Sequence, residues 1–148
     1  MGRLILELFN VKSKDAYFYS DEICTALQLT NFYQDTKLDF DKGRIYYTQA
    51  EMEKYGVTEK VFELNENNLN LQKLVKFNVE RAQVLFDDGK KLLKLLKGGL
   101  KLEVSWTVRG GEAILDKITK SNFDVLNKRP VLSKTDFVKL FIATIFNV

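Results

Sequence analysis

One segment, from Ser20 to Asp41, constrains the fold of this chain more than any other. Ser20 is a favourable N-cap residue and Gly43 follows the far end, so the pattern predicts one long helix from Ser20 to Asp41. Most of the circumference of this helix is apolar, through Ile23, Ala26, Leu27, Leu29, Tyr33, Leu38 and Phe40. A helix that is apolar on most sides has to be covered by other elements, which favours a domain of several packed layers.

The rest of the 148-residue chain divides into further helical segments with short turns between them. Apolar residues recur at spacings of three and four, and the alternation typical of strands is rare. Gly98 and Gly99 are expected to close the longest of these helices, and Pro130 breaks the chain before the last one. The predicted segments are about 2–9, 48–56, a short turn after Thr58, 71–96, 100–120 and 133–146. The sequence therefore predicts a single all-α domain over residues 1–148.

Two of these segments carry capping signals. Thr48 followed by Glu51 has the spacing of a capping box, and Gly56 supplies a C-terminal stop. Ser133 precedes the last helix, and Asp136 lies in its first turn, where the helix dipole favours a carboxylate. These signals predict where both helices begin.

The first segment is unusual because apolar residues surround it almost completely, namely Leu4, Ile5, Leu6, Leu8 and Phe9. A helix of this kind expects partners on several sides. We therefore expect a further N-terminal half of the protein to pack against it, or a second copy of the chain to form a homo-oligomer through it.

Composition excludes several classes of site. The chain has no histidine and a single cysteine, Cys24, which excludes Ser–His–Asp triads, Cys–His dyads, an internal disulfide framework and histidine- or cysteine-rich zinc sites. A metal would have to be held by oxygen atoms, the ligands that Mg²⁺ prefers. The 23 basic and 20 acidic residues give a net charge of +3 and are mixed along the chain, so no nucleic-acid partner is expected.

The sequence predicts a cytoplasmic protein. No run of about 18 uncharged apolar residues is present, and Glu7 interrupts an apolar start that is too short for a signal peptide. Lysines alternate with leucines over residues 90–101. This pattern favours a helix whose lysines face solvent and whose leucines face the core. Peripheral contact of this segment with a membrane surface is the alternative.

A narrow polar stripe on the predicted helix 20–41 is the strongest chemical signal. Its members are Gln28, Asn31, Asp35 and Asp39, and they fall within a sector of roughly 80° at about 100° per residue. Carboxylates four residues apart can share a divalent cation that also binds phosphate oxygens. Arg44 follows closely and could bind the same anion in a bidentate manner. The alternative is an ordinary amphipathic helix whose polar stripe faces water.

These residues resemble the second aspartate-rich motif of the squalene/phytoene synthase family. The resemblance begins with the run Gln28-Leu29-Thr30-Asn31-Phe32-Tyr33-Gln34-Asp35, followed by Asp39 and by Gly43-Arg44-Ile45-Tyr46. It continues over the stretches 108–116, 124–126 and 129–134, which are similar to the C-terminal region of the family, above all to its bacterial hopanoid-pathway branch. The match spans nearly all of this chain but only about the C-terminal half of the usual length of the family.

The resemblance implies an all-α isoprenoid synthase fold and a prenyltransferase. Members join two prenyl diphosphates, typically farnesyl or geranylgeranyl diphosphate, head to head through a cyclopropyl intermediate on the way to squalene, hydroxysqualene or phytoene. If the roles of the family's motif residues are transferred to the matching positions, the resemblance implies that Asp35 and Asp39 are catalytic Mg²⁺ ligands. The residues carried over as diphosphate-binding are Gln28, Asn31, Arg44 and Tyr46, with Arg109, Arg129 and Lys134 as weaker candidates.

The chain also departs from the family pattern. The first aspartate motif of the family is absent, so this chain lacks one of the two metal-binding motifs that the resemblance implies. Gln34 stands where arginine is common, Tyr47-Thr48 lacks the usual proline, and Gly110-Gly111 stand where many members carry a tyrosine. An inactive truncated fragment, or a non-catalytic helical interaction protein, is therefore the competing hypothesis.

Overall fold

The computed structural model describes residues 2–146, and every regular element among them is helical. The α-helices are α1 (Gly2–Leu8), α2 (Lys14–Gln34), α3 (Thr36–Phe40), α4 (Gln49–Tyr55), α5 (Glu59–Glu63), α6 (Leu69–Gly89), α7 (Gly98–Lys120) and α8 (Lys134–Phe146). A 3₁₀ segment, Lys90–Lys94, joins α6 to α7. The predicted all-α fold is confirmed.

Helix α2 lies at the centre of the bundle and packs against α1, α6 and α7. The core is formed by apolar residues of these helices, among which Ala26, Leu74, Val75, Ala82, Phe86 and Ile118 are completely buried. A small residue allows close packing where the end of α6 crosses α2. A Cβ atom at Gly89 would approach the Ile23 backbone nitrogen to 3.1 Å, so the end of α6 lies directly on α2.

The predicted start of α2 at Ser20 is wrong. The helix begins at Lys14, after Ser13, whose hydroxyl accepts from the Ala16 N–H at 3.1 Å. Ser20 is buried in the middle of the helix instead. Ser13 offers the same capping chemistry as Ser20, and starting the helix there also buries Ala16 in the core.

The predicted helix 20–41 is also interrupted. Helix α2 ends at Gln34, and Asp35 has a ψ of 15°, outside the helical range. The Thr36 hydroxyl donates to the carbonyls of Phe32 and Tyr33 at 3.2 and 3.0 Å, and such bonds compete with the helical pattern. The Asp39 N–H still donates to the Asp35 carbonyl at 2.8 Å. The two aspartates therefore stay one turn apart across a kink.

The other long helices are shifted in a similar way. The predicted helix 71–96 ends at Gly89 and continues as the 3₁₀ segment, in which Leu92 is buried. Gly98 has a positive φ of 58° but begins α7, so Gly98 and Gly99 open that helix and do not close the preceding one. The leucines Leu92, Leu96 and Leu100 all lie in the core, as the predicted core stripe requires.

The capping predictions for the helices after Thr48 and Ser133 are confirmed. Thr48 and Glu51 form a complete capping box, and Gly56 ends α4 with a left-handed φ of 64°. Ser133 accepts from the Asp136 N–H at 3.2 Å and caps α8, and the Asp136 carboxylate forms an ion pair with Lys117 of α7 at 3.0 Å.

Helices α1 and α8 each pack through one side only. In α1, Leu6 is buried whereas Leu4 and Leu8 are exposed. In α8, six large apolar side chains are about half exposed or more: Phe137, Val138, Phe141, Ile142, Ile145 and Phe146. None of the helices described between residues 2 and 146 has the length and apolar character needed to cross a bilayer.

Candidate functional site

One face of α2 lines an apolar cavity. This main cavity has a volume of about 450 Å³ and lies between α1, α2 and α7. Its apolar lining comes mainly from Ile5, Leu6, Ile23, Leu27, Leu100 and Val104. Gln28 and Asn31 also line it, one turn apart at its side. Gln28 and Asn31 are both exposed, so the two amides of the predicted polar stripe lie at the solvent-accessible edge of this apolar cavity.

A second cavity continues along the same groove. It has a volume of about 330 Å³ and shares Leu27 and Asn31 with the main cavity. Thr30, Asn31 and Gln34 give it a polar edge, while Ile114, Val131, Leu132 and Phe137 make its remaining surface apolar. The groove between α2 and α7 therefore changes from apolar at α1 to partly polar at the C-terminal end of α2.

The C-terminal end of α2 is hydrogen-bonded to the segment after α7. Arg129 Nε donates to Asp35 Oδ1 at 2.8 Å, and Gln34 Nε2 donates to the Pro130 carbonyl at 2.6 Å. Two residues that the sequence proposes separately, Asp35 and Arg129, are thus brought into contact over 94 positions of chain. A carboxylate and a guanidinium lie next to the polar edge of the second cavity.

Asp39 lies in a different hollow, together with Arg44 and Tyr46. The Arg44 N–H donates to the Asp39 carbonyl at 2.9 Å, and the Tyr46 ring stacks on Phe32 with centroids 3.8 Å apart. The hollow has a volume of only about 10 Å³, which is room for one water molecule. The predicted stripe is thus divided by the kink: Gln28 and Asn31 line the main cavity, whereas Asp39 does not.

A buried polar network supports the kink from behind, and the sequence analysis missed it. Asn78 of α6 accepts from the Tyr33 hydroxyl at 3.1 Å and from Arg81 Nη2 at 2.6 Å, and it donates to the Leu74 carbonyl at 2.9 Å. Arg81 also forms an ion pair with Glu51 at 2.5 Å. The network joins α2, α4 and α6 just before Asp35. An asparagine within an apolar helical repeat was the available signal.

Two tyrosines stabilise the same region as neutral groups. The Tyr47 hydroxyl lies 2.9 Å from the Thr36 hydroxyl, and the Tyr47 ring stacks on Tyr33 at 5.9 Å. Burial raises the pKa of Tyr47 far above its usual value, and burial also raises the pKa of Tyr33 against the opposing effect of Arg81. Both phenols therefore stay protonated near neutral pH. Tyr33 donates to Asn78 of α6, and Tyr47 is hydrogen-bonded to Thr36 at the start of α3.

The two weakest sequence candidates lie apart from these groups. Lys134 is exposed at the first position of α8. Arg109 lies on α7, half-buried and one residue before Gly110, and it is not among the residues lining the main or the second cavity.

Asp35 and Asp39 have the oxygen ligands that a hard cation prefers, but two carboxylates are too few to fill its coordination sphere. Asp35 and Asp39 supply carboxylate oxygens on successive turns, and Asp35 already attracts the cationic Arg129 side chain. Over residues 2–146, no group of three or more acidic or cysteine side chains is arranged to hold a metal. Mg²⁺ is commonly bound through one or two carboxylates plus phosphate oxygens and water. Two carboxylates therefore suit a cation whose other ligands come from a phosphate group.

Comparison with known proteins identifies relatives. Residues 1–136 match the family model described as squalene/phytoene synthase. The 15-cis-phytoene synthase of Synechocystis sp. is 29% identical over 119 residues, which cover 78% of this chain and 35% of the relative. The 4,4'-diapophytoene synthase of Staphylococcus haemolyticus is 26% identical over 139 residues, which cover 93% of this chain and 48% of the relative.

Solved structures agree with this assignment. The squalene synthase HpnC from Alicyclobacillus acidocaldarius superposes with a TM-score of 0.79 at 34% identity, over 82% of this chain and 46% of that one. A dehydrosqualene synthase in complex with ligand shares the fold, with a TM-score of 0.79 at 20% identity over 86% of this chain and 45% of that one. The chain spans about one third to one half of the length of these relatives. It has the isoprenoid synthase fold, and it belongs to the squalene/phytoene synthase family.

Proposed function

We propose that this chain forms one wall of the active site of a squalene/phytoene-type prenyltransferase. The reaction is a Mg²⁺-dependent head-to-head condensation of two prenyl diphosphates, with farnesyl diphosphate as the expected substrate, or conversion of the cyclopropyl intermediate to squalene or hydroxysqualene. One observation carries the proposal: the α2 face leads from an apolar cavity, past Asn31 and Gln34, to the Asp35–Arg129 pair.

The polar groups of this wall suit a diphosphate. Arg129 and Arg44 are guanidinium groups that can bind phosphate oxygens in a bidentate manner. The amides of Gln28 and Asn31 can donate to the same oxygens or to bound water. Asp35 and Asp39 would hold Mg²⁺, which supplies charge neutralisation for the leaving diphosphate when it is bound. Tyr46, with Arg109 and Lys134 as outer candidates, completes the proposed anion-binding set.

The apolar part of the groove suits the hydrocarbon and the reactive cation. Ionisation of an allylic diphosphate leaves a carbocation that water would destroy, so the prenyl chain has to be enclosed by groups that are not nucleophilic. Most of the main cavity's lining is apolar and includes Ile23, Leu27 and Val104. Its other lining residues include Ser20, Cys24, Glu103 and Thr107. No histidine is required for this chemistry, which is consistent with a chain that has none.

One wall alone does not enclose a substrate. The relatives are two to three times as long as the part that this chain covers, and the first aspartate motif of the family is not in this sequence. We infer that activity requires a polypeptide that supplies the opposite wall, either within a longer chain or as a partner. A homo-oligomer through α1 is the alternative arrangement. We also propose a cytoplasmic protein, with membrane contact at most at its periphery because prenyl chains partition into lipid.

The test is reconstitution. The chain is mixed with a polypeptide corresponding to the half of the HpnC relative that it does not cover, together with Mg²⁺ and farnesyl diphosphate. We expect a prenyl product from the mixture and none when Asp35→Asn replaces the wild-type chain. Absence of product from the wild-type mixture, with both polypeptides folded and associated, contradicts the proposal.

A second candidate function rests on α8. Its half-exposed apolar residues, including Phe141 and Phe146, form an uncovered helix face that suits a non-catalytic helical interaction protein. Such a protein does not require a diphosphate-binding site. It would bind its partner equally well with Asp35→Asn, which separates this candidate from the enzyme.

A further inference from the structure

Two cavities meet on the proposed active-site wall, and a glycine lies at the second of them. The main cavity and the second cavity both reach Leu27 and Asn31 of α2. On α7, the main cavity is lined by Val104 and Thr107, and the second cavity begins one turn later at Gly110. The groove is therefore continuous along both helices.

Gly110 and its neighbour Gly111 lack side chains for different reasons. A Cβ atom at Gly111 would overlap the Phe86 ring and approach Leu27 Cδ2 to 3.0 Å, so this glycine is required by packing. A Cβ atom at Gly110 would meet nothing within 4 Å. Packing therefore does not explain a glycine at position 110, in the middle of a helix where glycine costs about 1 kcal/mol relative to alanine.

We propose that Gly110 is a specificity-determining residue, whose missing side chain keeps the second cavity open to the prenyl chain of a diphosphate substrate. This assignment rests on the function proposed above. A large side chain at position 110 would enter the second cavity, narrow it, and exclude long prenyl chains before short ones.

The lining of the second cavity points to a hydrocarbon occupant. Ile114, Val131, Leu132 and Phe137 supply apolar surface, and the polar side chains of the lining, Thr30, Asn31 and Gln34, all belong to α2. A diphosphate group at this polar edge would lie beside the Asp35–Arg129 pair, with its chain in the cavity. Because both cavities reach Asn31, two hydrocarbon chains can lie with their head groups at the same polar edge, as a condensation of two prenyl diphosphates requires.

The experiment compares three variants of the full chain. Gly110→Leu fills the second cavity, and Gly110→Ala adds a methyl group that fits. Gly99→Leu is the matched control, because Gly99 also lies on α7 with nothing within 4 Å of a Cβ atom and does not line either cavity. Calorimetry measures binding of farnesol, of geraniol, and of inorganic diphosphate with Mg²⁺. Circular dichroism verifies the helix content of each variant.

We expect Gly110→Leu to weaken farnesol binding about tenfold or more, which corresponds to about 1.4 kcal/mol. Geraniol, one isoprene unit shorter, should lose less, and Mg²⁺–diphosphate binding should not change. Gly110→Ala should weaken farnesol binding less than Gly110→Leu does, because a methyl group takes up less of the second cavity. Gly99→Leu should match the wild type with all three probes.

Two results overturn the assignment of Gly110. In the first, the wild type and Gly110→Leu bind farnesol equally well, or neither binds it. In the second, Gly99→Leu loses as much farnesol affinity as Gly110→Leu. If farnesol discriminates the variants but the wild type does not bind Mg²⁺–diphosphate, Gly110 retains its role in binding hydrocarbon and the proposed enzymatic function fails. The two claims are therefore separable.

Discussion

The buried network around Asn78 gives the sharpest test of how this structure holds its candidate site. Asn78 is completely buried, and its side chain contacts three groups on two helices. We expect Asn78→Leu, which keeps a branched side chain but removes both polar atoms, to destabilise the fold and loosen the α2 end that carries Asp35.

The magnitude follows from the groups left without partners. The Tyr33 hydroxyl loses the acceptor of its proton, and a buried donor left unsatisfied costs about 1–3 kcal/mol. Arg81 loses one charged hydrogen bond but keeps Tyr33 and Glu51, and it is partly exposed, so water offsets part of that loss. The sum is about 2–3 kcal/mol. That is a large part of the 5–15 kcal/mol typical of a domain, and it predicts a fall in Tm of roughly 5–10 °C.

The assay is urea unfolding followed by circular dichroism, with Asn70→Leu as the matched control. Asn70 lies on the same helix, is exposed, and makes one long hydrogen bond to the Gly56 carbonyl at 3.4 Å. Its replacement should change the free energy of unfolding by no more than about 0.5 kcal/mol. Tyr33→Phe combined with Asn78→Leu should cost less than the sum of the single changes, because the two residues share a bond.

The reasoning is refuted if Asn78→Leu is as stable as Asn70→Leu. It is also refuted if the effects of Tyr33→Phe and Asn78→Leu add fully, since the hydroxyl and the amide would then be independent.

Three further predictions concern the site wall and α8. Gly111→Ala should destabilise the chain by up to about 2 kcal/mol in urea unfolding, because overlap with Phe86 outweighs the gain in helix propensity; a stabilised variant would contradict this packing. Arg129→Met should lower diphosphate affinity in calorimetry yet change the free energy of unfolding by less than about 1 kcal/mol, since its ion pair is partly exposed; equal affinity would exclude Arg129 as a ligand. The Ser133 N–H, then Lys117 and the Ser133 hydroxyl, hold the pKa of Asp136 far below its usual value. The carboxylate therefore stabilises α8 above about pH 4, and this stabilisation is lost as the pH falls toward the lowered pKa. Trp106 is the single tryptophan and contacts α8, so its fluorescence reports on the position of that helix. We expect an acid transition in this fluorescence that Asp136→Asn abolishes. A transition that is unchanged in Asp136→Asn would contradict the role of Asp136.

The helical architecture was predictable because its signals are local. Spacings of three and four identify the buried face of each helix, and capping residues such as Thr48 and Ser133 fix two of the starts. The start of α2 was predicted wrongly because Ser13 and Ser20 offer the same capping chemistry, and tertiary burial of Ala16 decides between them. The kink at Asp35 depends on hydrogen bonds of Thr36, and no periodicity reports these.

The candidate site was predictable only in its local part. Gln28 and Asn31 share a helix face, and the spacing alone placed them together. The Asp35–Arg129 pair joins residues 94 positions apart, and the contact between Tyr33 and Asn78 spans 45. Contacts of this range are set by packing of whole helices, and hydrophobic spacing along one segment does not encode them.

The central claim is that the end of α2 and the start of α3 bind a diphosphate through a hard cation. Calorimetric titration of inorganic diphosphate with and without Mg²⁺ tests it most directly. The titration compares the wild-type chain with the double variant Asp35→Asn/Asp39→Asn. The control is the double variant Glu59→Gln/Glu63→Gln, which removes two acids four residues apart on α5. The account predicts Mg²⁺-dependent binding that the control keeps and the aspartate variant loses by about 100-fold, or about 2.7 kcal/mol. Binding that survives in the aspartate variant, or that is independent of Mg²⁺, would contradict it.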